Sequence, residues 1–170
     1  EGPIPVRRYS DNDLMPSSKA FLQACLAEGY KFTGDQNHPE SAGVGMKPLN
    51  NVDGVRMSVA LTYLSMARHR LNLTIRGEVL VRKIRFDETK AIGVEVESQG
   101  DIFNLDAEEV ILCGGAINSP QLLMLSGIGS QNHLDSMGID LIQNLPGVGK
   151  NLRDHPSAFL LFETYIDQVG

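Results

Sequence analysis

Apolar residues recur at helical spacing early in the chain and at strand spacing further on. Phe21, Leu22, Cys25 and Leu26 form one stripe, which predicts a helix capped by Ser17 or Ser18, running to about Glu28 and stopped by Gly29. Leu61, Leu64 and Ala67 share a face with Tyr63 beside them, predicting a second helix from near Ser58 to Arg68. Residues 1–9 carry Pro3 and Pro5 among Ile4 and Val6, a pattern that suits an extended edge strand and not a central one. Residues 33–54 are rich in Gly, Asn, Asp and Pro with almost no periodicity, and predict a long loop of the kind that often serves function.

From Leu73 the period becomes that of strands. Three short β segments are predicted at 79–86, 91–97 and 102–105, joined by hairpin loops at 87–90 and 98–101. The middle segment alternates cleanly, with Ile92, Val94 and Val96 on one side and Glu95 and Glu97 on the other, as in a half-buried antiparallel strand. Val110, Ile111, Leu112 and Cys113 then form a continuous apolar run. Such a run predicts a parallel strand buried on both faces, ending at Gly114 and Gly115, where glycine lets a ligand or another backbone approach closely. Ser119 is placed to cap a short helix with Pro120 at its first position, reaching Leu125. Gly127 and Gly129 break it, a helix from about Gln131 ends at Gly138, a strand-like stretch covers 139–143, and residues 146–149 form a turn. Residues 159–165 read as one more strand. The alternation is that of an α/β fold with an antiparallel β meander.

Composition leaves that picture intact and removes several functions from it. The 170 residues are 42% hydrophobic and 21% charged, an ordinary globular balance with length for one domain. A net charge of −6 with scattered basic residues excludes phosphate-backbone binding, so no nucleic-acid partner is expected. Arg68, His69 and Arg70 form the densest basic group and read as a solvated helix end. No apolar run reaches the roughly 20 residues of a membrane span, and residues 1–30 lack a secretory-signal pattern. Cys25 and Cys113 share no metal-type spacing with the histidines and are expected to be free, buried thiols, compatible with a reducing cytoplasmic location. No metal site is expected. Asp154 and His155 are adjacent, but neighbours on an extended segment point to opposite faces and form no easy dyad. His38, His69 and His133 fall on loops or helix surfaces and are expected to be solvated.

The segment 109–129, reading EVILCGGAINSPQLLMLSGIG, closely resembles the second signature of the glucose-methanol-choline (GMC) oxidoreductases. Collinear matches surround it: Gly2-Pro3-Ile4, the Gly54, Arg56, Ser58, Ala60 spacing, Asn72-Leu73-Thr74-Ile75, Gly93-Val94-Glu95, and Leu145-Pro146-Gly147-Val148-Gly149 with Asn151-Leu152 and Asp154-His155. His38 departs from a glycine common in the family, and Cys113 replaces a small residue. The resemblance implies a portion of a Rossmann-like FAD-binding domain over residues 51–150, with pieces of an α+β substrate domain at 1–50 and 151–170. It implies a parent of the alcohol or choline dehydrogenase type that oxidises a small-molecule alcohol by hydride transfer to flavin; a hydroxynitrile lyase parent is the variant of that reading.

Residue by residue, the resemblance implies that Val81 pairs through its backbone with the adenine of FAD, and that Gly114, Gly115 and Ala116 form the turn running past adenosine and pyrophosphate. Packing alone also accounts for these residues: Val81 as a core strand valine, the glycines as close helix–strand contacts. The family's G-x-G-x-x-G fingerprint and its late catalytic histidine are not matched here, since Gly43-Val44-Gly45 and Gly147-Val148-Gly149 lack the third glycine. The chain is therefore expected to be a middle section, inactive alone, with no catalytic residue and with FAD belonging to the full-length parent. The alternative class is a non-catalytic α/β module that self-associates through exposed sheet edges.

Overall fold

The computed structural model describes residues 2–159, 161 and 163. They form two compact units, one drawn from the residues up to Thr74 with those from Phe159 onward, the other Ile75–Ala158.

In the first unit, helix α1 covers Pro16–Ala27. It starts earlier than its serines suggest because Met15 is the N-cap and Pro16 takes the first helical position, where a missing N–H costs nothing. Gly29, with φ +89°, follows its end as predicted. The stripe is only half covered: Leu22 and Cys25 are half-buried, whereas Phe21 and Leu26 are exposed. The edge strand predicted over 1–9 reduces to one antiparallel bridge between Arg7 and Leu49, since Pro3 and Pro5 have no N–H to extend a ladder. The long loop closes before residue 54. Asp53 and Gly54, at φ 49° and 79°, turn a small hairpin of β1 (Asn51–Val52) and β2 (Val55–Arg56).

The helix predicted from Ser58 to Arg68 is mostly a π turn over Ala60–Leu64, followed by the single turn α2 (Ser65–Ala67). Side-chain hydroxyls account for the wider winding. Thr62 Oγ1 donates to the Ser58 carbonyl at 3.0 Å and Ser65 Oγ to the Ala60 carbonyl at 3.0 Å, while the Leu64 N–H reaches back five residues to Val59. Arg68, His69 and Arg70 are exposed beyond it.

The second unit is built on the predicted meander. Strands β3 (Leu80–Asp87), β4 (Lys90–Ser98) and β5 (Asp101–Asp106) pair antiparallel in that order. Val96 on β4 is 1% exposed and pairs with Val81 and Phe103, and Ile84 opposite Val94 is also buried. Ile92 and Val94 are half-buried. Glu95 and Glu97 do not face open water: both are half-buried and ion-paired, which the simple alternation did not require. Gly93 is buried between the two neighbouring strands at φ 150°, and a side chain there would run into the carbonyl of Leu105.

The parallel strand predicted at 110–113 is not formed. These residues pair with no strand among the described residues, Ile111 is 76% exposed, and Cys113 is an exposed free thiol instead of a buried one. The physical reason is that a two-faced apolar run becomes a strand only with a neighbouring strand to bond. Helix α3 (Gly115–Leu125) follows, with Gly114 as N-cap. It starts before Ser119, so Pro120 lies inside the helix and not at its first position, leaving the Ala116 carbonyl without its helical donor. Past Gly127, β6 (Ile128–Gly129) pairs in parallel with β7 (Gln143–Asn144) across helix α4 (Gln131–Ser136). The strand predicted at 139–143 is thus shorter and later. Leu134 of α4 is fully buried, and residues 146–149 form the predicted turn. The strand read at 159–165 falls mostly outside the described residues.

Candidate functional site

A cleft of about 1010 Å³ lies within the second unit. One wall is the start of β3, including Val81, with Val94 and Glu95 of β4; the other is the segment 110–114 and the face of α3 that carries Asn118, Leu122 and Leu125. Most of its lining is aliphatic. β3 is an edge of the three-stranded sheet, and among the described residues no other strand pairs with its outer side.

Val81, 38% exposed, and Gly114 both line this cleft. Gly115 and Ala116 do not line it; they begin α3 immediately beside it and are exposed. Gly115 sits at φ +80°, a turn that an L side chain adopts only under strain, with no atom within 4 Å of where a Cβ would stand. The N-cap Gly114 has no side chain to cap α3, and among the described residues no cap bond is made, so the N–H groups of its first turn can meet an outside acceptor. An aliphatic slot with a sheet edge on one side and an uncapped helix start on the other can take a flat ring and an attached anion.

Charge around the cleft is internally matched. A bulge in β3 lies between Val81 and Lys83, and it turns two consecutive basic residues toward one partner. Arg82 Nε lies 3.4 Å from Glu95, Lys83 Nζ 3.5 Å from the same carboxylate, and Arg82 Nη1 2.6 Å from Glu97. Ser126, which in the sequence reads only as part of a helix break, is buried and accepts the Ile84 N–H at 2.8 Å while donating to the Leu122 carbonyl at 2.6 Å. No spacing rule could have singled it out, because its partner on β3 is 42 residues away.

The histidines form no acid–base pair. The Asp154 carboxylate accepts the backbone N–H of His155 at 2.8 Å, and His38 Nδ1 accepts the Glu40 N–H at 3.2 Å. His69 and His133 are exposed. Among the described residues no group of three or more His, Cys, Asp or Glu could hold a metal ion, and no helix is long and apolar enough to cross a membrane. In the first unit, the N–H of Asn37 and then the Arg8 guanidinium at 2.7 Å hold the Asp35 carboxyl below its ordinary range. Ser10 does the same for Asp13, through its N–H and its hydroxyl, with Arg7 adding to it.

Comparison with known proteins agrees with the resemblance. The profile of the GMC oxidoreductases matches residues 1–157. The chain is 44% identical over 170 residues to the mitochondrial choline dehydrogenase of Homo sapiens, covering 99% of this chain and 27% of that protein. Among solved structures, pyridoxine 4-oxidase from Mesorbium loti superposes with a TM-score of 0.80 at 33% identity, covering 85% of this chain and 28% of that one. An FAD-dependent oxidoreductase from Chaetomium thermophilum superposes with a TM-score of 0.82 at 29% identity, covering 91% and 27%. The chain spans about a third or less, 27–32%, of the first curated relatives it matches. It belongs to the GMC oxidoreductase family, whose cofactor is FAD.

Proposed function

We propose that this chain is a section of an FAD-dependent enzyme that oxidises a small alcohol, and that the cleft between β3 and α3 receives the adenosine half of the cofactor. The observation that carries this reading is the meeting of Val81, on the outer strand of the described sheet, with Gly114, at the start of α3, across one aliphatic cleft. In it the backbone of Val81 pairs with the edge of the adenine ring, Leu122 and Leu125 pack against the ring and keep water from it, and Gly114, Gly115 and Ala116 lead the chain past adenosine and pyrophosphate. The residues fit such a ligand: aliphatic walls suit a flat ring, and the unsatisfied N–H groups opening α3 suit an anion.

FAD held there would supply the hydride acceptor for oxidation at the carbinol carbon of the substrate. This chain's residues contribute binding and orientation, and none is assigned to proton transfer. Choline dehydrogenases among the relatives support a small alcohol as the substrate class. In the same reading residues 51–150 belong to a Rossmann-like FAD domain, while 1–50 and 151–170 belong to the substrate domain; the compact second unit, Ile75–Ala158, supports the first assignment for residues 75–150, whereas 51–74 fall in the other unit and 151–158 in the second.

The test is titration of full-length apoprotein with FAD, followed by quenching of flavin fluorescence. Asn118→Trp places an indole in the cleft, and the expected result is loss of FAD binding with an unchanged fold by circular dichroism. Undiminished FAD binding in that variant removes the cleft from the cofactor site.

A further inference from the structure

Ser126 joins the two walls of the cleft at one end. Its hydroxyl accepts the N–H of Ile84, on the β3 edge, at 2.8 Å and donates to the carbonyl of Leu122, on α3, at 2.6 Å. Ser126 is only 5% exposed, so water is a poor substitute for its bond to the buried Ile84 N–H. Ile84 lies three residues beyond Val81, about 10 Å along an extended strand. At the other wall, α3 runs from beside Gly114 to Leu125 with a length of about 16 Å. The two walls are thus arms leaving a common pin, and the free ends of the arms carry Val81 and Gly114. Leu122, whose carbonyl the pin holds, also lines the cleft.

We propose that Ser126 is a positioning residue for the cofactor: its paired hydrogen bonds set the opening between β3 and α3, and so the fit of the adenine ring between Val81 and Gly114. This rests on the reading of the cleft as the adenosine site. Without the hydroxyl, the Ile84 N–H is left buried with no partner, and the hydrogen bond that ties β3 to the end of α3 among the described residues is lost.

The experiment uses full-length apoprotein carrying Ser126→Ala, Ser126→Thr or Ser126→Cys, and measures dissociation constants for FAD, for ADP by competition, and for FMN. Ser126→Ala is expected to weaken FAD and ADP by the same factor, about tenfold, and to leave FMN unchanged. Ser126→Thr, which keeps both bonds, is expected to return FAD binding to within about twofold of the parent. Should Ser126→Ala fail to fold, Ser126→Cys, with a weaker donor and acceptor of similar size, carries the same comparison with a smaller loss confined to FAD and ADP. Equal weakening of all three ligands as the protein melts would make Ser126 merely structural and overturn the proposal. Unchanged FAD and ADP binding in Ser126→Ala, with Asn118→Trp abolishing both, would overturn it while leaving the cleft reading in place. If Asn118→Trp also leaves both unchanged, the cleft reading itself fails.

Discussion

Replacing Gly93 by alanine tests the closest backbone approach in the meander. Gly93 pairs with Arg85 on β3 and with Asp106 on β5, and it is buried between them. A Cβ there would run into the Leu105 carbonyl oxygen and stand 2.9 Å from Asp106 Cα and 3.1 Å from the Leu105 carbonyl carbon. All three obstacles are backbone atoms, so no rotamer change relieves the contact and β4 must part from β5. The φ of 150° adds strain of about 1–3 kcal/mol for an L residue in a region kept by glycine. Losing about two ladder hydrogen bonds adds about 2 kcal/mol. A total near 4 kcal/mol is a large share of the roughly 5–15 kcal/mol that holds a typical domain folded. With a urea m-value near 2 kcal/mol/M, the unfolding midpoint should fall by about 2 M. Gly115→Ala is the control, since φ +80° brings strain but no atom lies within 4 Å, and it should cost only about 1–2 kcal/mol. A Gly93→Ala loss no larger than that of Gly115→Ala would refute the steric argument.

Leu134→Ala should cost about 2–5 kcal/mol in the same assay, because Leu134 is 0% exposed and truncation leaves a cavity under α4; a loss under about 1 kcal/mol would show that the site collapses freely. Asp35 should titrate below 3.8 by carbon-detected NMR. Its folded-state value is depressed, so its contribution to stability is present above the unfolded value and disappears as the pH falls through the folded one. Asp35→Asn should flatten the acid limb of the stability curve below pH 3.8, and an unaltered limb would contradict the assignment. In the 170-residue chain Cys113, exposed beside Gly114, should react with a thiol reagent well before the half-buried Cys25, and equal rates would contradict that difference.

What could be read from the residues alone divides by the range of the interaction involved. The meander was legible because alternation and turn chemistry are local: Gln99 and Gly100, at φ 54° and 91°, make the turn that their neighbours require. The Asp53-Gly54 turn carried the same signal, but short strands and a glycine-rich surround hid the hairpin inside a loop. The run at 110–113 was misread because strand formation depends on a partner strand, a property of the surroundings that an apolar run does not encode. Pro120 suggested a helix start, yet the helix is fixed by Gly114 and Gly115 before it. In the cleft, Gly114 was marked by the glycine pair that ends the apolar run, whereas Val81 came from likeness to a family. The bulge at Arg82 and the Ser126 bridge came only from contacts between distant segments.

FAD is expected to touch this section at the start of β3 and at the turn into α3. Amide hydrogen exchange on the full-length apoprotein, with and without FAD, reads that contact directly at backbone groups. Exchange should slow on FAD binding at residues 79–83 and 113–116, with little change at α4 on the far side of Gly127. FAD binding that slows other segments and leaves both of these unaltered would contradict it.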